Sequence, residues 1–414
     1  MSDAFLTMTT STLPRGRGES PNNLVWEEIP PDLTLVQAQY IVRHGARAPV
    51  RRHLLHADPP MPVRWNFCHA AKQFHLSVLQ WGSHVNEFVP LHAKIPRTVE
   101  HAHEPMPLPG DTGDCLLGEL TDLGLSSMFQ FGEKLYDLYS TRLGLIPRHF
   151  DQHASDMFYF RSTYMERTIK SLEQLMMGFF NGHPPSFVPT LHVRNPGEEN
   201  MLPNTRDCPR LADLMSHFER AAAVKYNPML AALDPVIKPH NSGRPPRVDG
   251  QPRLSGLIDT IRVAQAHNIP VPKPFTDPTT MALMEEAVVQ EWFAGYAASH
   301  PETRRVYRSL AIGDFLGSIY SNMEQVATGL SPLRLAVYLS HDATVVGVLQ
   351  SLDCFNGRWP DFAASIGIEL FHGPKSSNGN SPVYPPNPDE PTLAKQVPDD
   401  YCAFLLTRRT MPLW

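Results

Sequence analysis

Leu33-Thr34-Leu35-Val36-Gln37-Ala38-Gln39-Tyr40-Ile41-Val42-Arg43-His44-Gly45-Ala46-Arg47-Ala48-Pro49 is the stretch whose reading settles the fold class. The run from Leu33 to Val42 is mostly apolar and reads as a buried strand. It passes directly into a loop with a histidine between two arginines. Arginine keeps its charge near neutrality and presents a planar fork of donors, so Arg43 and Arg47 are suited to hold a phosphoryl group beside His44. Gly45 lets the backbone come close to such a ligand. Taken alone, the loop reads equally well as a basic turn after a strand.

Two more strand ends carry matching chemistry. Phe158-Tyr159-Phe160 runs into Arg161, and the segment from Leu333 to Ser340 runs into His341-Asp342. Ligands of open α/β sheets bind outside the carboxyl ends of parallel strands, so Arg43, His44, Arg47, Arg161, His341 and Asp342 are expected to converge on one crevice. Each strand is followed by a helical pattern. Thr163 and Glu166 read as a capping box ahead of Ile169, Leu172, Met176 and Phe179 or Phe180, with the positive end of that helix aimed at the same phosphate. Asp342 precedes Val345, Leu349 and Leu352 and reads either as a helix N-cap, worth about 1 kcal/mol, or as an acid. Strands alternating with helices predict an α/β fold: a mainly parallel sheet flanked by helices, with an inserted, mostly helical cap.

These residues resemble a known family. RHGARAP is similar to the R-H-G-x-R-x-P signature of the histidine acid phosphatases, the second branch of the histidine phosphatase superfamily. FRSTYMERTIKS (160–171) resembles that family's R-S-T-x-x-x-R-T segment, and SHDATVVGVL (340–349) resembles its late H-D motif. GELTDLGLSSMFQFGEKL (118–135) resembles its L-T-x-x-G-x-x-Q helix, with Met128 to Gln130 slightly off the commonest register. AQAHNIP (264–270) and GRWPDFAASIGIELF (357–371) resemble the lysophosphatidic acid phosphatase group within it.

The resemblance implies two-step phosphoryl transfer with His44 as nucleophile, a phosphohistidine intermediate and Asp342 as proton donor. Arg43, Arg47, Arg161 and His341 are then the phosphate-binding residues, and no metal or other cofactor is expected. The expected partner is a small phosphomonoester with an apolar body, such as a lysophosphatidic acid. The competing expectations are a pathway-specific phosphatase of a small, possibly aromatic, phosphorylated metabolite or of an inositol phosphate, and a non-catalytic phospholigand-binding protein.

Composition narrows the rest. The 414 residues carry 36 Lys plus Arg against 42 Asp plus Glu, a net charge of −6, which argues against nucleic acid as a partner. No run approaches the ~20 apolar residues of a membrane span. Five cysteines (68, 115, 208, 354, 402) show no paired spacing and no N-x-S/T sequon occurs, so free thiols and an intracellular, cytoplasmic location are expected. The first twenty residues lack the apolar core of a secretory signal. Their Ser, Thr and two Arg make a mitochondrial location the alternative, against which Asp3 and Glu19 count. Oligomeric state is left open.

The motifs divide the chain into a flexible N-terminal segment (1–32), an α/β phosphatase core (33–65, 105–195 and 300–414) and cap insertions (66–104 and 196–299). Asp277-Pro278 starts a helix carrying Met281, Met284, Val288, Trp292, Phe293 and Tyr296, side chains suited either to its core or to a pocket wall. A further helix carries Phe315, Ile319, Met323 and Val326 and ends before Gly329 and Pro332. Phe67 to Phe88 fits both helical and strand periodicity. Prolines number 41, and residues 373–398 read as an extended or disordered loop. Asp111-Thr112-Gly113 reads as a turn, and His101 and His103 near Cys115 as surface histidines.

Overall fold

The computed structural model describes residues 33–70, 99 and 113–373, together with short backbone strands at 5–7, 73–75, 78–79, 88–89, 94–96 and 401–408. The strands are β1 (Phe5–Thr7), β2 (Thr34–Arg43), β3 (Gln73–His75), β4 (Val78–Leu79), β5 (Phe88–Val89), β6 (Lys94–Pro96), β7 (Phe158–Ser162), β8 (Leu191–Val193), β9 (Leu335–Ser340), β10 (Ser365–His372) and β11 (Tyr401–Arg408). The helices are α1 (Asp122–Tyr136), α2 (Glu166–Phe179), α3 (Pro209–Leu230), α4 (Asp234–Ile237), α5 (Leu254–Ala266), α6 (Pro278–Phe293), α7 (Pro301–Arg308), α8 (Asp314–Ala327) and α9 (Asp342–Ser351).

The main sheet runs β1-β11-β10-β2-β9-β7-β8. β2, β9, β7 and β8 are mutually parallel, and β10 closes antiparallel on β2. β2 and β9 are buried on both faces, as parallel strands between helices must be. Tyr40, Val42, Leu335, Val337 and Leu339 pack with Phe131, Leu135, Leu172, Leu175 and Phe179 of α1 and α2. Ile41, Ala336 and Tyr338 pack with Phe315, Ile319, Val345 and Val346 of α8 and α9. Gln39, fully buried within β2, is satisfied by donating to Ile319 O at 3.0 Å and accepting from Tyr338 Oη at 3.1 Å.

The chain divides into two compact units. The first, holding the sheet, comprises Met1–His44, Ser127–Glu219 and Val289–Trp414. The second comprises Gly45–Ser126 and Arg220–Val288 and buries Leu257, Ile261, Phe275 and Met284. One boundary falls between His44 and Gly45, so the arginine-histidine loop belongs to both.

Several sequence expectations are corrected. No capping box forms at Thr163: α2 starts at Glu166 after Met165, because the Thr163 hydroxyl is engaged 2.7 Å from the Thr168 hydroxyl and 3.0 Å from His341 Nε2. Asp342 is not an N-cap; His341 takes that place, and Asp342 is the first helical residue. Cys68 and Cys115 form a disulfide, against the expectation of free thiols. Their segments are hydrogen-bonded (Cys68 N to Gly113 O, 2.8 Å; Cys115 N to Trp65 O, 2.9 Å), which brings together cysteines 47 positions apart that no spacing rule relates. Cys208 and Cys354 are free, as expected.

The doubtful stretch from Phe67 to Phe88 contains strands where it is described. Asp277 caps α6 through the Thr280 N–H at 2.8 Å, and Met284, Val288 and Phe293 are buried core residues while Trp292 is 42% exposed. α8 buries Phe315, Ile319, Met323 and Val326, as their spacing predicts. His101, His103, Asp111, Thr112 and residues 374–398 lie outside the described residues.

α1 and α2 approach backbone to backbone at two glycines. A Cβ on Gly178 would lie 1.9 Å from Phe129 O, and one on Gly132 the same distance from Leu175 O. Gly178→Ala must therefore push the helices apart, and the expected outcome is a loss of about 1–3 kcal/mol in unfolding free energy, read by denaturant titration. An unchanged midpoint would show that this crossing is not tight.

Candidate active site

β2 delivers Arg43 and His44 to the carboxyl edge of the sheet, and the neighbouring β9 delivers His341 and Asp342. Both His44 backbone groups are tied down: its N–H donates to Ser340 O at 3.0 Å and its carbonyl accepts from Ala363 N at 3.1 Å. Its ring stands edge-on to that of His341, with centroids 5.5 Å apart, and 5.9 Å from Phe362. His341 is held from the far side, its Nε2 lying 3.0 Å from Thr163 Oγ1 at the end of β7. Thr163 in turn bonds Thr168 of α2.

Arg43 is fixed on three sides. One terminal nitrogen forms an ion pair with Asp342 Oδ2 at 2.8 Å, the other donates to Pro360 O at 2.6 Å, and the guanidinium lies 4.5 Å over the Phe362 ring. Asp342 Oδ1 accepts the Ala343 N–H at 2.9 Å, and Oδ2 accepts the indole N–H of Trp359 at 3.1 Å as well as Arg43. Arg43, His44 and His341 are buried, while the Asp342 side chain keeps 19% exposure, the accessible acid beside two enclosed imidazoles.

Four of the six residues singled out in the sequence thus share one cluster. Arg161 lies on β7, one strand beyond β9, almost wholly buried. Its guanidinium donates to Glu199 Oε1 at 2.8 Å and Asn200 Oδ1 at 2.7 Å. Burial pulls its pKa below the ordinary arginine value, with the Glu199 carboxylate opposing that shift. Arg47 belongs to the second unit, where its two terminal nitrogens pair with Asp259 at 2.7 and 3.3 Å.

The second unit also holds the loop that follows His44. Thr121 donates its backbone N–H to Ala46 O at 3.0 Å, and its hydroxyl lies 3.1 Å from the same oxygen and 2.9 Å from His267 Nε2. His267 Nδ1 lies 2.8 Å from Val263 O. Burial lowers the His267 pKa, favouring the neutral ring. Gly124 is required here, since a Cβ would fall 2.1 Å from Ala46 O.

Sequence reasoning missed Trp359, Pro360, Phe362, Thr163, Glu199 and Asp259. The first three lie in the GRWPDF run, residues 357–362. Its aromatic residues beside a Pro, before a strand, were the available signal. Glu199 and Asp259 carry no local signal, because a carboxylate's arginine partner is set by the fold.

Residues 34–383 match the histidine phosphatase superfamily, branch 2. The chain belongs to this family. A probable acid phosphatase of Schizosaccharomyces pombe is 33% identical over 366 residues, covering 86% of this chain and 77% of the yeast protein. The human lysophosphatidic acid phosphatase type 6 is 24% identical over 400 residues, covering 92% of this chain and 84% of its own. Among solved structures, a Hafnia alvei phytase in complex with tartrate superimposes with a TM-score of 0.52 at 12% identity, covering 83% of each chain, a likeness of fold. This histidine phosphatase is a phosphoric monoester hydrolase, and its α/β architecture is that of the family. Among its described residues, no helix is long and apolar enough to cross a membrane.

Proposed function

We propose that the enzyme hydrolyses phosphomonoesters through a phosphohistidine on His44, with Asp342 as the proton donor and no metal. The observation that carries this reading is the single cluster in which an anchored His44 stands edge-on to His341, and Asp342, the first residue of α9, is ion-paired with the fixed Arg43 guanidinium. In the first step a ring nitrogen of His44 attacks phosphorus, the bond to the ester oxygen breaks, and the carboxyl proton of Asp342 passes to that oxygen, releasing the alcohol. In the second, water attacks phosphorus, its proton returns to the Asp342 carboxylate, the N–P bond breaks and phosphate leaves.

Arg43 and His341, with Arg161 and Arg47, hold the phosphoryl oxygens where charge spreads in the transition state. Arg43 reaches the phosphate by leaving its ion pair with Asp342, which lets that carboxyl take up a proton as substrate binds. Arg161 and Arg47 likewise share their donors with Glu199 and Asp259.

For the substrate we propose a monoester carried on an apolar body, of which a lysophosphatidic acid is the type. A pocket for a polyphosphorylated ligand needs a cationic excess, and the chain has a net charge of −6. A relative acting as a lysophosphatidic acid phosphatase aligns over 92% of the chain. Burying four methylenes at roughly 0.8 kcal/mol each raises kcat/KM about two hundredfold if the gain persists in the transition state. The expected ranking in kcat/KM places lysophosphatidic acid above glycerol 3-phosphate and phytate. Phytate in first place would sink the proposal, and an aromatic metabolite phosphate in first place would favour a pathway-specific enzyme. The compartment belongs to this proposal too: disulfides persist in oxidising surroundings, so the Cys68–Cys115 bridge weighs against the cytoplasm.

A further inference from the structure

Residues 359–364 touch three of the four members of the cluster, Arg43, His44 and Asp342. Trp359 donates to Asp342, Pro360 O accepts from Arg43, Phe362 lies under Arg43 and beside His44, Ala363 N donates to His44 O, and Ala364 O accepts from Arg43 N. Within this segment Trp359 is the residue whose chemistry exceeds what packing requires. Its ring is already accommodated by aromatic neighbours, 5.2 Å from Phe293 in the core at the end of α6 and 6.0 Å, edge-on, from Trp292. Trp359 is half-buried, and a carbonyl oxygen would serve its indole N–H as acceptor. Here it is aimed at the carboxylate oxygen Asp342 Oδ2, at 3.1 Å.

We propose that Trp359 is a positioning residue for proton donation: its N–H holds the Asp342 carboxyl in the orientation that meets the leaving group. In the resting site Oδ2 is shared by Trp359 and Arg43, while the Ala343 N–H holds Oδ1. Arg43 is the donor that an incoming phosphate recruits. Trp359 is the side-chain donor that stays on Oδ2 during the transfer. Indole is a donor only, so it neither takes the proton from Asp342 nor competes with the leaving oxygen for it. The ring is pinned against Phe293, so α6 core packing sets the direction of the acid.

The inference rests on the assignment of Asp342 as proton donor, and the test separates the two. Trp359→Phe keeps an aromatic ring against Phe293 and removes the N–H. It is expected to lower kcat for an alkyl ester such as glycerol 3-phosphate on the order of tenfold more than kcat for p-nitrophenyl phosphate, the effect of losing one hydrogen bond to a charged group. KM should change little for either ester. Taking the ratio of the two substrates on one preparation cancels any unfolded fraction. In an Asp342→Asn background the same substitution should leave that ratio unaltered, since no proton donor remains to be positioned. Equal losses on both substrates, or a further fall of the ratio in that background, overturn the role of Trp359 alone. If Asp342→Asn itself shows no dependence on the leaving group, the acid assignment falls and the positioning role falls with it.

Discussion

Replacing His44 with alanine yields a folded protein whose phosphatase turnover is more than a thousandfold below that of the parent. The fold survives because the interactions that anchor this residue are main-chain: the bonds to Ser340 O and from Ala363 N do not involve the ring. The chemistry does not survive because no neighbouring group stands in for the nucleophile. The ring nearest to it, His341, is held through Nε2 by Thr163. Losing one proton transfer typically costs 10²- to 10⁴-fold, and losing the nucleophile removes the covalent route itself, so a fall of at least about a thousandfold in kcat is expected. The parent enzyme, quenched in alkaline denaturant during turnover, is expected to carry phosphate on the peptide containing His44. A mutant retaining more than about a thousandth of parental kcat would rule out nucleophilic catalysis by this side chain.

Asp342→Asn is expected to reduce kcat on alkyl phosphates by a hundredfold or more, with a smaller loss on p-nitrophenyl phosphate, whose leaving group needs little protonation. Asparagine keeps one of the two carboxylate acceptors: its amide oxygen remains for the Ala343 N–H or for the Trp359 indole. It cannot deliver a proton. Asp342 opens α9 without capping it, so its exchange should leave the helix in place. The ion pair with Arg43 is weakened, so the melting temperature should fall by a few degrees, a modest loss because Pro360 O and the Phe362 ring still hold the guanidinium. Equal losses on both leaving groups would exclude the general-acid role.

The elements that position the site were legible wherever a strand's apolar run ended in charged residues. β2, β7 and β9 lie where their hydrophobic runs place them, and α8 buries the four residues its spacing selects. The local details at helix starts were less legible. Thr163 has the composition of a capping residue, yet its hydroxyl lies against a histidine 178 positions away. A capping box is a local preference of about 1 kcal/mol, and a buried hydrogen bond to a site residue competes with it on equal terms.

The cysteines show the same limit. Spacing predicted free thiols, and the pairing of Cys68 with Cys115 arises from two segments held side by side by backbone hydrogen bonds.

What the sequence determined by itself was the α/β class, the family and the identity of the catalytic candidates. Strand period, strand-end chemistry and motif order are properties of neighbours along the chain. Only the tertiary structure decided how the cations are partnered: Arg43 with Asp342, Arg47 with Asp259, and Arg161 with Glu199 and Asn200. The same holds for the Trp359 indole on the acid. A buried guanidinium must satisfy its charge with whatever carboxylate the packing brings within about 3 Å, and that distance is set by the fold, across 212 residues for Arg47 and 17 for Trp359.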